Sequence, residues 1–222
     1  MKNRVTTTEL VAKEGYKYII GAFVALALAA YWGFSSLNLI LLALAVAAIV
    51  YFFRNPERIA NDDAKGAILS PTDGVIVSID DEYEDRFIKD DCVCVAVATS
   101  LQDAHFIRAP FASMFKAKNS LHGTFLPIKN EKAKSLNERF AAYFEGEEGH
   151  RYAFSIIAGS LATKISLYKE TDSKIRAGER MSFLKSEFQT ILYLPKNVEL
   201  KKAVGEKVKA GESVIGYFKD AE

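Results

Sequence analysis

A long uncharged stretch near the N-terminus limits what this chain can fold into. For 36 residues, from Tyr18 to Phe53, the sequence contains no Asp, Glu, Lys, Arg or His. One membrane-spanning helix needs about 20 apolar residues, so the stretch is too long for one span and slightly short for two. Residues 33–36 (Gly-Phe-Ser-Ser) are typical of a turn. The sequence therefore predicts a tight helical hairpin, Tyr18–Trp32 followed by Leu37–Phe53, that spans or enters a membrane.

Basic residues flank this stretch on both sides. Lys13 and Lys17 precede it, and Arg54 and Arg58 follow it. Because basic flanks stay on the cytoplasmic side, we expect both ends of the hairpin, and the rest of the chain, on the cytoplasmic face of the cell membrane. The alternative is a buried helical hairpin in a soluble core, although such helices usually carry polar residues along one side.

The remainder of the chain has the composition of an ordinary charged domain. The 222 residues carry a net charge of +1, which gives no electrostatic case for nucleic-acid binding. We expect two domains, the membrane hairpin with its charged collar over residues 1–58 and one folded domain over residues 59–222. Cys92 and Cys94 are the only cysteines, and two thiols alone cannot form a structural zinc site. They are predicted to be small buried residues, and no metal site is expected.

The domain after residue 58 is predicted to be mainly β. Runs of β-branched and aromatic residues lie between turn signals at Ala67–Leu69, Val75–Ile79, Cys92–Ala98, Phe111–Ala117, Tyr152–Ile157, Thr163–Tyr168, Phe183–Leu184, Thr190–Leu194 and Ser213–Phe218. Short helices or irregular segments are predicted at Leu101–Phe106 and Lys132–Phe140.

One pattern occurs twice in this domain. Residues 174–179 read Lys-Ile-Arg-Ala-Gly-Glu, and residues 207–212 read Lys-Val-Lys-Ala-Gly-Glu. The pattern resembles the hammerhead turns of biotinyl- and lipoyl-type β-barrels, but no lysine lies in a carrier-type turn between the copies. The simpler interpretation is a pair of tight turns in which each glycine adopts a positive φ.

An acid, an imidazole and a guanidinium occur within six residues, just after the strand predicted at Cys92–Ala98. They belong to Asp103, His105 and Arg108, and Pro110 then ends the local structure. A titratable group just past the end of a buried strand is a common way to present chemistry at a cleft. Arg108 is predicted either to face a phosphate or to pair with Asp103.

Three segments in order resemble one protein family. Residues 52–58 (Phe-Phe-Arg-Asn-Pro-Glu-Arg), 70–74 (Ser-Pro-Thr-Asp-Gly) and 103–110 (Asp-Ala-His-Phe-Ile-Arg-Ala-Pro), with residues 137–139, 157–159 and the Ala-Gly-Glu repeats, resemble the short, membrane-anchored phosphatidylserine decarboxylases. The resemblance implies a β-rich pyruvoyl-decarboxylase domain with biotinyl/lipoyl-like hairpins behind an N-terminal membrane hairpin. It also implies phospholipid as ligand, a role in phosphatidylethanolamine metabolism, and self-association as a homo-oligomer.

The resemblance also implies a reaction and the residues that assist it. In the family, a serine preceded by glycine attacks the glycine carbonyl, the chain breaks, and the serine becomes a pyruvoyl group. That group condenses with the substrate amine and withdraws electrons as the carboxylate leaves. The family's assisting acid and base correspond to Asp73 and His105. A substrate contact is suggested for Arg108 and for His122, whose alternative role is a turn or packing residue.

The sequence departs from the family at the cleavage site. Residues 178–180 and 193–195 match the family's flanks without a gap, and counting back seven residues from Pro195 places Phe188 at the serine position and Glu187 at the glycine position. Phenylalanine carries no nucleophile, so no pyruvoyl cofactor is expected there. Ser186 is the remaining candidate, but two residues along a strand cover about 6.6 Å, beyond the ~3 Å reach of a general base.

Three functions are therefore open from the sequence. The first is a pseudoenzyme of the family, attached to a membrane, that is not self-processed and retains a lipid-binding pocket with Asp73 and His105. The second is an active aminophospholipid decarboxylase with a pyruvoyl group made at Ser186. The third is a structural membrane module whose β domain binds a protein partner.

Overall fold

The computed structural model describes residues 9–61, 66–84, 91–130, 132–146, 149–160, 165 and 167–219. These residues fall into two compact units, one within Thr7–Glu57 and the other within Arg58–Glu222. The first unit is helical and the second is mainly β, so the predicted β-rich fold class is confirmed for the larger unit.

The N-terminal unit is a helical hairpin. A 3-10 turn at Lys13–Gly15 leads into α1 (Tyr16–Tyr31), and α2 follows at Ser36–Phe52. The turn between them falls where the sequence predicts it, and the rings of Tyr18 and Phe53 stack with centroids 5.4 Å apart at the open end. Among the described residues, no helix combines the length and the apolar character needed to cross a membrane. Membrane insertion of the hairpin stays a prediction.

The larger unit contains thirteen described strands and one short helix. In chain order they are β1 (Ala67–Leu69), β2 (Gly74–Glu84), β3 (Asp91–Thr99), β4 (Phe106–Arg108), β5 (Ser113–Leu121), α3 (Ala133–Leu136), β6 (Arg139–Gly146), β7 (Arg151–Ala158), β8 (Lys174–Ile175), β9 (Arg180–Phe183), β10 (Phe188–Pro195), β11 (Val198–Leu200), β12 (Lys207–Val208) and β13 (Val214–Phe218).

An antiparallel sheet of eight strands organises this unit. Its order among the described strands is β12-β2-β3-β10-β7-β6-β5-β8, so β10 lies in the middle, between β3 and β7. Residues of β10 pair one by one with β3, from Phe188 with Thr99 to Pro195 with Cys92, and no bulge interrupts this ladder. Smaller sheets of β1, β13 and β11 and of β4 with β9 complete the unit.

The two faces of the central strand bury different side chains. Phe188, Leu192 and Leu194 belong to the main hydrophobic core. On the opposite face, Tyr193 packs with a small cluster that includes Cys92 and Cys94. Both thiols are free and buried, as the sequence predicts.

The repeated sequence marks both edges of the sheet. The first copy begins as β8 at one edge and the second as β12 at the other. Gly178 and Gly211 have φ values of 72° and 68°, which confirms the predicted positive-φ turns. A Cβ atom on Gly211 would lie 3.5 Å from Gly178 Cα, so the sheet curls until the turns that follow its two edges meet.

One segment differs from its sequence-based prediction, and the structure does not test another. The strand predicted at Thr163–Tyr168 lies largely outside the described residues. In Lys132–Phe140, helix α3 is short and β6 begins at Arg139. The reason is Asn137, whose Nδ2 donates to the carbonyl oxygens of Leu126 and Ala158, each at 2.7 Å, and so holds the chain extended.

Candidate functional site

Asp73 is the centre of a buried polar network. Its Oδ2 accepts a hydrogen bond from Arg58 Nη2 at 2.8 Å, and its Oδ1 accepts one from the Ala210 N–H at 2.7 Å. Its carbonyl oxygen accepts a hydrogen bond from Thr99 Oγ1 at 2.6 Å. Burial raises the pKa of the Asp73 carboxyl, and Arg58 and the N–H groups of Ala210 and Ala104 act against that rise.

The turn before β2 holds Asp73 in this position. Ser70 Oγ donates to the carbonyl oxygen of Thr72 at 2.7 Å and closes the turn. The next residue, Gly74, lies against β3 so tightly that a Cβ atom would be 2.1 Å from the Ala98 carbonyl oxygen. The Ser-Pro-Thr-Asp-Gly pattern therefore presses the backbone onto the end of β3 and directs the Asp73 carboxylate into the network.

His105 lies in apolar surroundings. It is fully buried, and its backbone carbonyl oxygen accepts a hydrogen bond from the Leu184 N–H at 3.1 Å. The centroid of its ring lies 6.1 Å from that of Phe183 and 6.4 Å from that of Phe188. The imidazole therefore faces aromatic carbon on the side of β10.

Phe188 occupies the position that the family motif gives to serine. It is the first residue of β10, is fully buried, and has Thr99 and Ala158 as its partners on the neighbouring strands. With ladders on both sides, β10 has a fixed register at this residue. The side chain presented toward His105 is therefore a phenyl ring.

Ser186 and Glu187 make local contacts with the backbone. Ser186 is fully buried and its Oγ donates to the Glu187 carbonyl oxygen at 3.0 Å. The same carbonyl oxygen accepts a hydrogen bond from the Gly159 N–H at 3.1 Å. The partly exposed Glu187 carboxylate accepts a hydrogen bond from Ser160 Oγ at 3.0 Å. These bonds hold the corner before β10 in place.

Three of the predicted residues converge at one end of β3. Thr99, the last residue of β3, bonds to Asp73 and pairs with Phe188. The N–H of Ala104 contributes to the environment of Asp73, and the next residue is His105. The structure thus brings together Asp73, His105 and the cleavage-site position, while their chemical roles stay predictions.

Arg108 is buried on the far side of the polar network. Its Nη1 donates to the Gly178 carbonyl oxygen at 3.0 Å, which ties β4 to the first repeat turn. Burial, together with the positive charges of Arg180 and Arg58, lowers the pKa of Arg108 to about 10, and Asp73 acts in the opposite direction. The contact with Gly178 gives Arg108 a structural role, and a substrate contact stays a prediction.

The side chains of Asp103 and His122 make contacts of their own, although the negative charge of Asp103 also acts to raise the pKa of Asp73. The Asp103 carboxylate accepts hydrogen bonds from the Ser100 N–H at 2.9 Å and from Ser100 Oγ at 2.8 Å, which closes the turn after β3. The His122 side chain is 79% exposed, and its Nδ1 lies 3.5 Å from Glu138 Oε2. A substrate contact by His122 also stays a prediction.

The sequence analysis missed the role of Arg58. The charge pattern assigned it to the flank of the hairpin, but its guanidinium bridges Asp73 and Glu212, with 2.8 Å to each carboxylate. Glu212 belongs to the second Ala-Gly-Glu copy. No sequence signal pairs these residues, because the three positions are distant in the chain and meet only through the turn after β12.

The sequence model of phosphatidylserine decarboxylase matches residues 46–216. The chain belongs to the phosphatidylserine decarboxylase family. A phosphatidylserine decarboxylase proenzyme from Geotalea uraniireducens (strain Rf4) is 31% identical over an alignment of 227 residues. The alignment covers 98% of this chain and all of the relative. A proenzyme of the same name from Syntrophotalea carbinolica is 33% identical, covering 94% of this chain and 97% of the relative.

Membership of the phosphatidylserine decarboxylase family connects the chain with decarboxylase, lyase and phospholipid-metabolism proteins. The family's pyruvoyl group has to be made from a serine of the chain itself. Phe188 has no hydroxyl group, and Ser186 donates to a backbone oxygen one residue before the strand. The residues present at the cleavage site therefore do not fit a pyruvoyl group. Among the described residues, no group of three or more His, Cys, Asp or Glu side chains is placed to bind a metal ion.

Proposed function

We propose that this protein is a membrane-associated member of the phosphatidylserine decarboxylase family that does not cleave itself and acts by binding phospholipid. The observation that carries the proposal is the fully buried Phe188 ring, which faces His105 from the position of the family's serine. A hydrocarbon ring offers neither a nucleophile for chain cleavage nor a precursor of the electrophile.

The register of β10 is evidence that Ser186 does not take the place of the family's serine. Moving Ser186 into the place of Phe188 requires a slip of two residues in both ladders, with β3 and with β7. That slip would also move the side chains of β10 that the core buries. The uninterrupted ladder thus weighs against a pyruvoyl group made at Ser186.

The membrane part of the proposal rests on the N-terminal hairpin. The stretch from Tyr18 to Phe53 has no charged residue, and both helices expose large apolar side chains such as Phe23 and Leu44, which are 54% and 62% exposed. Such surface is stable against lipid rather than water. The cytoplasmic face of the cell membrane is the proposed location, because both flanks are basic.

Glu187 supports an aminophospholipid as the ligand. Its carboxylate is partly exposed, is oriented by Ser160, and directly precedes Phe188. A fixed negative charge at the surface of the former site suits the ammonium group of a serine or ethanolamine headgroup.

A denaturing gel of the purified full-length chain tests the proposal. The expected result is one intact band. In the variant that exchanges Ser186 with Phe188 and carries Glu187→Gly, the family order of apolar residue, glycine and serine is restored. Both positions are fully buried, and the exchange conserves total side-chain volume. This triple variant is expected to release a fragment spanning residues 188–222.

Matched controls assign the cleavage to the proposed site. Adding Asp73→Asn or His105→Ala to the triple variant is expected to reduce cleavage, while adding Asp103→Asn is not. Cleavage of the wild-type chain before residue 186, lost in Ser186→Ala, would overturn the proposal in favour of an active decarboxylase. Failure of the wild-type chain to sediment with phosphatidylcholine vesicles would overturn its membrane part.

A further inference from the structure

Exposed apolar side chains occur on the segment that runs from the end of β5 to the start of β6. We call its described residues, 118–130 and 132–139, the basic loop. Within it, Leu121, Phe125 and Leu136 are 61%, 43% and 49% exposed. They belong to segments that are hydrogen-bonded together, since the Thr124 N–H donates to the Leu136 carbonyl oxygen at 2.8 Å. Three large apolar side chains are therefore exposed on connected segments of one loop.

The same loop carries a concentration of positive charge. Residues 118–139 contain five basic side chains, four lysines and one arginine, against two glutamates, which gives a net charge of +3. The lysines Lys118, Lys129, Lys132 and Lys134 are exposed, and no carboxylate among the described residues forms an ion pair with any of them. Another lysine-rich surface behaves differently. There the side chains of Lys201, Lys202 and Lys209 pair with Glu199, Glu206 and Glu212. The basic loop thus has an excess of positive charge to offer an external anion.

The buried side chain of Asn137 holds the loop in place, without using the exposed side chains of the loop. Asn137 is 4% exposed, and its Oδ1 accepts hydrogen bonds from the Leu126 N–H at 2.9 Å and from Thr124 Oγ1 at 3.1 Å. Its Nδ2 donates to the carbonyl oxygens of Leu126 and Ala158. An apolar and basic surface that is already ordered loses little entropy when it binds.

The anchor also places the loop beside the candidate site. Ala158 is the strand partner of Phe188, and the next residue, Gly159, bonds to the carbonyl oxygen of Glu187. A Cβ atom on Gly159 would lie 3.0 Å from Cγ1 of Ile128, a residue of the loop. A surface bound at the loop would therefore lie next to the Glu187 carboxylate.

We propose that the basic loop is a docking surface of the β domain for a bilayer that contains anionic phospholipid. Leu121, Phe125 and Leu136 enter the headgroup region, and the four lysines bind the negative surface around them. The proposal rests on the membrane association given under Proposed function. It goes further by assigning a lipid contact to the β domain itself and by bringing headgroups to Glu187.

Charge complementarity favours a bilayer as the occupant. A bilayer offers many mobile phosphates around an apolar interior. This combination matches the basic loop, which carries both exposed lysines and exposed apolar side chains. An acidic protein would have to supply both features at fixed positions. If no lipid contact is found, an acidic protein is the occupant that we would expect instead.

Tryptophan fluorescence in the full-length chain tests the proposal. Trp32 is the only tryptophan, so Trp32→Phe provides a silent background. Phe125→Trp then reports on the basic loop, and Val204→Trp is the matched control, because Val204 is 57% exposed among lysines that are largely paired. Brominated phosphatidylcholine quenches tryptophan that enters the acyl region. The vesicles contain phosphatidylcholine alone, or with added phosphatidylglycerol or phosphatidylserine.

We expect quenching at position 125 only with either anionic lipid, and none at position 204. Each lysine is expected to contribute about fivefold to docking, so Lys129→Gln, Lys132→Gln and Lys134→Gln together weaken it about a hundredfold. The same change at Lys201, Lys202 and Lys207 is expected to leave quenching unaltered. Quenching with phosphatidylserine but not with phosphatidylglycerol would identify headgroup recognition in place of surface charge and would overturn the docking proposal.

The outcomes separate this proposal from the one it rests on. A chain that sediments with all vesicles while position 125 stays unquenched overturns the docking surface and leaves membrane association intact. Equal quenching at positions 125 and 204 also overturns it. Binding to anionic vesicles alone, lost in the lysine variant, supports the docking surface and removes the hairpin as the anchor. A chain that binds no vesicle overturns both.

Discussion

Asp73 and Phe188 lie at the same end of β3, but the surroundings of the two residues differ in kind. The Asp73 side is polar, and its carboxylate is matched by the Arg58 guanidinium and by backbone N–H groups. The Phe188 side is aromatic, with the rings of His105 and Phe183 nearby and no exposure to solvent. One side is a network of charges and hydrogen bonds, and the other is packed core.

The difference shows that the fold itself needs an acid at position 73, whatever its chemical role. Removal of the Asp73 carboxylate would leave Arg58 and the Ala210 N–H without an acceptor that the fold has built for them, which is costly in a buried setting. The fold itself therefore retains Asp73. At position 188 strand pairing uses only the backbone, so the ladders need no polar side chain there. An apolar core side chain therefore fits.

The largest effect is expected on the aromatic side. Phe188→Ala removes a fully buried ring and should lower the free energy of unfolding by about 3–5 kcal/mol. Urea denaturation of the full-length chain measures this loss. Ile191→Ala is the matched control, because Ile191 is a partly buried residue on the opposite face of the same strand, and its loss should be smaller. A loss below that of Ile191→Ala would mean that the Phe188 side is an open pocket rather than packed core.

A slightly smaller loss is expected on the polar side. Asp73→Ala leaves a buried guanidinium with Glu212 as its remaining carboxylate and should cost about 3 kcal/mol. Glu212→Ala breaks the more exposed half of the same bridge and should cost less than about 1 kcal/mol. Equal losses in the two variants would show that Asp73 has no special structural role, and its retention would then need a chemical explanation.

The two repeat turns offer a finer comparison. Gly178→Ala and Gly211→Ala both place a Cβ atom at a positive φ, which costs about 1–2 kcal/mol. At Gly178 the nearest atom is 3.9 Å away, whereas at Gly211 the new atom would lie 2.8 Å from Arg108 Cδ. The thermal midpoint of Gly211→Ala should therefore fall further. Identical midpoints would contradict the tight packing of Arg108 on the second turn.

The smallest effect concerns pH. The pKa of Asp73 is raised in the folded protein, so the folded chain keeps this proton longer than the unfolded chain as pH rises from about 3.8. The free energy of unfolding should fall with rising pH across that interval, and Asp73→Asn should remove this slope. For Glu212, partial burial acts to raise the pKa, but hydrogen bonds from Lys209 and Arg58 lower it overall.

The pKa values of the two carboxylates that share Arg58 are thus shifted in opposite directions. The contribution of Glu212 to stability is present above its ordinary pKa and is lost as pH falls through the lowered one, so Glu212→Gln should remove a slope of the opposite direction. Denaturation at several acidic pH values measures both. Slopes of the same sign in the two variants would contradict the difference in burial between these groups.

Sequence patterns predict the local parts of this structure well. The uncharged stretch with its central turn predicts the two helices to within two residues, and Ala67–Leu69 is exactly β1. These succeed because apolar periodicity and turn residues act over a few positions. Strand β6 was missed, because its apolar residues occur at both odd and even positions and its start lies in a segment with helical composition.

Contacts between distant segments explain what the sequence could not predict. The Arg58 bridge joins the end of the hairpin collar, the turn before β2 and the turn after β12. The repeated Ala-Gly-Glu predicts two turns but not that they meet beside Arg108. At the candidate site, the family resemblance pointed to Asp73, His105 and the missing serine, whereas the ring that faces His105 depends on strand register.

The central place of β10 in the sheet has a consequence for how the protein assembles. A chain cut before residue 188 would have the middle strand of its main sheet on a separate polypeptide, held only by noncovalent contacts. In a continuous chain, residues 184–187 keep β10 attached to β9. Closing the sheet is then a unimolecular step whose rate does not depend on protein concentration, whereas reassembly of two fragments is bimolecular. A chain that stays uncleaved can therefore close its main sheet without meeting a second fragment.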